Sequence, residues 1–352
     1  MNSNFRKYIL YALGILGLFA IGYFLWSTDS TNESLLPQNS QIGYQQLSGK
    51  ALGTDWTLNY LDPKGRNHQT SIDSIFADLD RVAFLGNPTS EINQLNRTDT
   101  LTNPSPDLIT ILREAGKWVN ETEGTVEITQ TALDRAWSFS SSGATLRDTL
   151  GVGPALQHVG FSKISLNDTL IRKPLSLQLD FSKVIFGIGL SRIQHYLESK
   201  GVDNYFLKFG NSQLAKGQNE RDEIWKTEII YLSDSSGSAQ QGWVALQNQA
   251  ITGMGSTDQF YLKDSTQVSF TLDPRTGYPV NHGLLSVMIL GPDPKATDAI
   301  SDMLMVKGPR EAIRLDSLRD DLQMLLIYHE KGSNLKQYVS PDLIKYLSFP
   351  VQ

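Results

Sequence analysis

The sequence predicts an α+β fold, with mixed sheets and packed helices in a single domain behind an N-terminal transmembrane helix. Three observations carry this. Segments with strand alternation and segments with helical spacing both recur along the chain. They are mixed without a regular βαβ rhythm, which argues against a doubly wound parallel sheet. An uncharged apolar run stands ahead of all of them. The 352 residues, 40% hydrophobic and 19% charged, are enough for a sizeable core. A formal net charge of −6 leaves no basic footprint and excludes nucleic acid as an expected partner. The chain has no cysteine, which excludes disulfides, thiolate metal sites and a lipid-modified cysteine anchor.

Taken in order, Arg6 and Lys7 end a short segment, residues 1–7, expected to stay cytoplasmic. Residues 8–26, Tyr8 to Trp26, are uncharged and apolar, just long enough for one helical span, with aromatics at both ends. A cleaved signal peptide is the rival reading, but the run is long for one and no clear small-residue cleavage site follows. Residues 27–48 are polar and read as a linker. Residues 49–352 form the folded domain, expected on the outer, periplasmic side of a cell inner membrane.

Within that domain, Ala51 to Asp62 alternates as a strand, with Trp56, Leu58 and Tyr60 on one face. Ile72, Ile75, Phe76, Leu79 and Val82 recur at helical intervals. Ser105 is placed to cap a helix whose stripe is Leu108, Ile111, Leu112 and Ala115 and whose stop is Gly124. "SFSSSGATLRD" reads as a polar loop. "FGIGLSRIQHYLESKGV" is a helix closed by Gly201, and "NYFLKFGNSQLAKG" and "WKTEIIYL" are strands. "GWVALQNQAITGMG" reads as a strand ending in a Gly-rich turn. "LLSVMILG" is an apolar strand, and "KATDAISDMLMVKGP" is a helix stopped by Gly308-Pro309. "VSFTLDPRTGYPVNHG" opens as a strand and breaks at a turn rich in Asp, Pro and Gly.

Little in these residues points to chemistry by itself. The five histidines form no metal-binding spacing. Asp298 and Asp302 stand four apart in a helix, so both leave one face. They could hold a hard cation such as Mg²⁺, or they could be a solvated helix start favoured by the helix dipole. "TGMGST", Thr252 to Thr257, could offer backbone N–H groups to phosphate but is neither a P-loop nor a dinucleotide fingerprint.

Several segments, in this order, resemble the ApbE family of FAD:protein FMN transferases. "LGTDWTLNYL" is similar to M-G-T-x-(Y/W)-x-(I/L), and "NPTSEINQLNR" to P-x-S-E-(I/L)-x-x-(L/I)-N. "LDFSKVIFGIGLSR" resembles L-D-(L/F)-(G/S)-(G/A)-I-A-K-G-Y-x-x-D-R. "LKFGNSQLAKG", "SFTLDPRTGYPV" and "TDAISDMLMVKG" resemble three further family segments, with D-P-R-T-G-Y-P-V the most specific. The resemblance runs from about Leu52 to Gly308.

That resemblance implies an ApbE/T-fold-like domain and Mg²⁺-dependent transfer of FMN from FAD to a Thr or Ser hydroxyl. The acceptor would be an exported or membrane flavoprotein domain carrying an S-G-A-T-like sequence. It implies nucleotide contacts from Glu91, Lys183, Thr252, Asp273, Arg275, Thr276 and Gly277, with Asp273 also catalytic. Asp298, Asp302 and the main-chain carbonyl of Ile185 are the implied cation ligands. Departures are as informative. The family's His is Phe270 here, and the Lys of I-A-K-G is Phe186. The acidic residue after G-G is Ser212, and Glu127 stands for an Asp. Phe270 cannot accept a proton and Phe186 cannot steady a phosphate, so activity is expected to be reduced or lost. Lys183 and His282 are the stand-ins to consider. "SSGATLRD" places Thr145 where an acceptor hydroxyl would be, although a polar loop explains the match as well. A non-catalytic flavin- or flavoprotein-binding module is the alternative.

Overall fold

The computed structural model describes residues 43–140, 142–147, 151–232, 239–255, 260–330 and 335–348. The apolar run at 8–26 lies outside them, and among the described residues no helix is long and apolar enough to cross a membrane.

One eight-stranded sheet organises the domain: β1 (Tyr44–Ala51), β2 (Thr54–Leu61), β3 (Asn204–Phe209), β4 (Ser212–Lys216), β5 (Gln249–Gly255), β6 (Leu284–Gly291), β7 (Gln323–His329) and β8 (Leu335–Val339). Their order across the sheet is their order in the chain, and every pairing is antiparallel. The α+β expectation holds.

Four helices carry the packing: α1 (Gln69–Ala83), α2 (Pro106–Glu121), α3 (Ile185–Ser199) and α4 (Pro294–Lys307). Ile72, Phe76, Leu79 and Val82 of α1 are buried as their spacing requires. The Ser105 side chain accepts from the Leu108 N–H at 3.1 Å and caps α2. The helices cover one sheet face. On the other, a small sheet of Trp225–Leu232, Ala239–Leu246 and Leu347–Ser348 closes a second core. Central strands therefore bury both faces. In β6, Val287 and Ile289 enter the helix-side core, whereas Met288 and Leu290 enter the other.

Three expectations change. Tyr44 to Ser48, read as linker, are strand, so the domain begins at about Tyr44. β1 is an edge strand whose buried side chains are Leu47 and Ala51, and its pairing with β2 supplies what its polar sequence does not. The "loop" at 137–146 is a hairpin of Trp137–Ser140 and Gly143–Leu146, with exposed Thr145 paired to Ser138. "TGMG" is no turn: Thr252 to Gly255 are the end of β5, paired with β6.

Candidate active site around Asp298

The site is built where α3 meets α4. Gly187, in the first turn of α3, lies so close to α4 that a Cβ there would sit 2.5 Å from the Pro294 carbonyl oxygen and 3.0 Å from the Asp298 Cβ. Only glycine allows this approach. It lets the Gly187 N–H, free at a helix start, donate to Asp298 Oδ2 at 2.9 Å. The Ser212 hydroxyl at the start of β4 also donates to Asp298. Behind it runs a buried chain of hydroxyls, Ser212 to Thr252 at 2.9 Å and Thr252 to Thr297 at 3.1 Å. Asp298 is buried to 2% exposure. Burial drives its pKa up to about 7, against the pull of the Gly187 N–H, and neighbouring Asp302 pushes the same way.

Asp302, one turn on, is met by Lys183 from the turn before α3. The ammonium lies 2.7 Å from Oδ2 and 3.0 Å from Oδ1. Asp134, on the short helix Thr131–Ala136, faces the same charges. Its pKa is raised, first by burial, with Lys183 opposing and Asp180 and Asp302 adding. Asp302 is the carboxylate that pairs with Lys183, whereas Asp134 accepts from the Gln130 side chain at 3.0 Å. Sequence reasoning missed Asp134, whose "TALDRA" setting carries no spacing signal.

The "DPRTGYP" turn flanks the same short helix. Asp273 opens it and accepts from Arg275 at Nε (3.0 Å), Nη2 (2.8 Å) and the backbone N–H (2.9 Å). Burial would raise the Asp273 pKa, but these bonds outweigh it and hold the carboxyl below its ordinary value. Thr276 and Gly277 donate their N–H groups back to the Asp273 carbonyl. Gly277 has φ +79°, and a Cβ there would lie 2.3 Å from Val152 and 3.1 Å from Leu133. The Trp137 indole donates to the Gly277 carbonyl at 2.8 Å. Leu133 of that helix therefore seats the turn. Phe270, 36% exposed, lies over Phe139 with ring centroids 5.3 Å apart and stacks on Tyr261 at 6.3 Å.

The remaining expected residues have other surroundings. Glu91 binds Arg81 at 2.6 Å and the Ser105 N–H at 3.0 Å, joining α1 to the start of α2. Thr252 is fully buried within the hydroxyl chain. Phe186 packs edge-on against Phe209 and covers Gly210. Glu127 accepts from Thr129 and from the Phe161 N–H, closing its own loop. His282 is no free base. Its Nε2 donates to the Val306 carbonyl at 3.0 Å, its Nδ1 accepts from the Leu284 N–H, and burial lowers its pKa.

The oxygen donors suit a hard cation. Among the described residues no cluster of three or more His, Cys, Asp or Glu side chains is arranged around a metal position. Mg²⁺ needs less than that: one or two carboxylates completed by substrate phosphates and water. Asp298 and Asp302 supply two, beside Ile185 at the start of α3, and an ammonium already stands in for a cation at one of them.

Comparison with known proteins bears on the family and the fold. The ApbE family model matches residues 52–326. The FAD:protein FMN transferase of Haemophilus influenzae is 25% identical over 302 residues, 81% of this chain and 87% of that protein. That of Vibrio cholerae is 24% identical over 314 residues, 86% of this chain and 92% of that protein. The solved apo form of the Pseudomonas stutzeri flavinyl transferase ApbE shares the fold at a TM-score of 0.74, with 19% identity over 88% of this chain and 98% of that one. The order of the motifs, the antiparallel sheet and a family match over most of the domain lead to one conclusion: this chain belongs to the ApbE family.

Proposed function

We propose that the protein transfers the FMN half of FAD to a Thr or Ser hydroxyl of an exported or membrane flavoprotein, in a Mg²⁺-dependent reaction. The observation that carries this is Asp298, a buried carboxylate beside Asp302 that receives only neutral donors, in a chain whose relatives are FAD:protein FMN transferases. In the reaction the acceptor oxygen attacks the phosphorus on the FMN side of the pyrophosphate. The bond to the AMP oxygen breaks, AMP leaves, and the hydroxyl proton passes to a base. Bound Mg²⁺ would supply charge neutralisation at the pyrophosphate, held by Asp298, Asp302 and the Ile185 carbonyl. Lys183 brings a positive charge to the edge of the same site. Asp273 and Arg275 keep the turn rigid, with Thr276 and Gly277 presenting its backbone.

The proton has no evident acceptor at position 270, and a missing general base costs about 10²–10⁴-fold in rate. We therefore propose slow transfer. The half-exposed Phe270, stacked on Phe139 and Tyr261, favours a second reading in which the domain binds flavin or a flavoprotein without transfer. The apolar run at 8–26 would anchor the domain on the periplasmic side of an inner membrane, where such acceptors reside.

Full-length protein incubated with FAD, Mg²⁺ and an acceptor domain carrying S-G-A-T tests these readings. Covalent flavin fluorescence on the acceptor that disappears with Asp298→Asn supports transfer. FAD bound tightly without transfer supports the binding module. Absence of FAD binding at any Mg²⁺ concentration rejects both.

A further inference from the structure

We infer that Lys183 is a built-in competitor for the cation site: its ammonium holds Asp302 until a divalent cation displaces it, and so it sets how strongly the site takes Mg²⁺. The inference rests on the flavin-transfer reading only for the identity of the cation, and it does not require transfer.

The geometry is specific. Lys183 addresses both oxygens of Asp302, at 2.7 and 3.0 Å. The two side chains are 19% and 8% exposed, so the pair is largely withdrawn from water. They lie 119 residues apart in sequence, on a turn and on a helix joined through the α3–α4 contact, so this is no helix-surface pairing of near neighbours. The turn is itself held, with the Ser182 N–H on Asp180 Oδ1 at 2.8 Å and the Val184 N–H on the Phe181 carbonyl at 3.0 Å. Lys183 is thereby aimed at Asp302.

A divalent cation bridging Asp298 and Asp302 would meet this ammonium at close range. Like charges so near one another repel strongly where water is scarce, so cation and ammonium cannot both keep Asp302. Without a divalent ion the ammonium relieves the repulsion between the two acids of α4.

Mn²⁺ added to the full-length protein, with free Mn²⁺ read by electron paramagnetic resonance, tests the inference without any transfer reaction. Lys183→Met is expected to bind one Mn²⁺ about tenfold more tightly than the natural protein. Asp302→Asn added to Lys183→Met should remove the gain. If Lys183→Met does not fold, as judged by circular dichroism, Lys183→Gln keeps a side chain of similar length without the charge and should show the same gain. Equal Mn²⁺ affinity in the natural protein and the folded lysine variant overturns the inference, as does a gain that survives Asp302→Asn. Tighter Mn²⁺ binding by the lysine variant, beside a natural protein that transfers no flavin, removes the proposed reaction and leaves the competition standing. Transfer without any Mn²⁺ difference does the reverse.

Discussion

Asp62 and Asp298 are both sealed from water, at 0% and 2% exposure, yet the fold treats them in opposite ways. Asp62 receives the Lys64 N–H at 2.6 Å, the Arg66 guanidinium at 2.8 Å and a His68 ring nitrogen at 2.8 Å. Burial would raise its pKa, but the Arg66 bond and the others outweigh burial, and the net shift is downward. Asp298 receives the Gly187 N–H and the Ser212 hydroxyl, both neutral, and has Asp302 beside it, so its shift is upward. One carboxylate is completed by the Arg66 guanidinium, a His68 ring nitrogen and a backbone N–H, and ties the β2 end to the start of α1. The other receives neutral donors alone, although Lys183 reaches its neighbour. A buried acid that the fold fully satisfies is architecture, whereas one left unsatisfied at a helix–helix contact is where an outside cation has most to gain.

The largest effect expected from this contrast is in pH dependence. With a chelator present, the folded Asp298 pKa of about 7 stands above the ordinary 3.8. The native state then holds the proton over the range where the unfolded chain has lost it, so this residue's contribution to stability falls as pH rises from about 4 to about 7. The ceiling on that loss is on the order of 4 kcal/mol. Urea unfolding of the natural protein and of Asp298→Asn across this range should give a stability difference that tilts toward the variant at higher pH. Parallel curves would show that the carboxylate is satisfied after all.

Asp62 should behave with the opposite sign. Its folded pKa lies below 3.8, so its contribution is present above that value and is lost as pH falls through the folded pKa. Asp62→Asn should cost about 3 kcal/mol near pH 7, because Arg66 loses its counter-charge and the buried His68 ring loses its carboxylate partner. The deficit should shrink below about pH 4. A cost that does not change with pH would mean that packing, not charge, holds this corner.

Next in size is Phe270→His. If proton removal limits transfer, a histidine there should speed flavinylation by about 100-fold, equivalent to about 2.7 kcal/mol of barrier. The stacking of Phe270 on Phe139 and Tyr261 warns that the new ring must leave an aromatic shelf to act. A variant that folds and binds FAD but transfers no faster would place the limitation elsewhere, with Phe186 the next position to restore.

How far the sequence foretold this depended on where each element draws its stability. α1, α2 and α3 bury a side-chain stripe, so their spacing announces them, whereas α4 is buried all round and is marked by its Gly308-Pro309 stop. β1 and the Trp137–Leu146 hairpin draw on backbone pairing with neighbours distant or polar in sequence, and they leave almost no pattern. The Thr252–Gly255 stretch looked like a turn because two glycines suit one. It is held by pairing with β6 along its whole length and with β4 at Thr252. The site divides the same way. Asp298 and Asp302 were legible because a helix fixes their spacing. The Lys183–Asp302 pair spans 119 residues, and the approach of Asp134 depends on the seating of a six-residue helix, so neither leaves a local trace.

The smallest expected effect concerns a third acid, Asp273, whose partner stands at the surface. Arg275 is 41% exposed and binds Asp273 through two nitrogens, a geometry that elsewhere in a protein would suggest a strong pair. Water nevertheless screens it, and exposed pairs contribute about 0–1 kcal/mol. Much of the turn's rigidity also comes from elsewhere: the Thr276 and Gly277 N–H groups on the Asp273 carbonyl, the Trp137 bond to the Gly277 carbonyl, and the packing of Gly277 on Val152 and Leu133. Arg275→Gln should therefore cost less than about 1 kcal/mol in urea unfolding. If FAD affinity falls while stability holds, Arg275 serves the nucleotide and its bond to Asp273 is how it waits. If stability falls by several kcal/mol instead, the ranking of these three acids by burial and counter-charge is wrong, and the turn depends on its ion pair as the Asp62 corner does on Arg66.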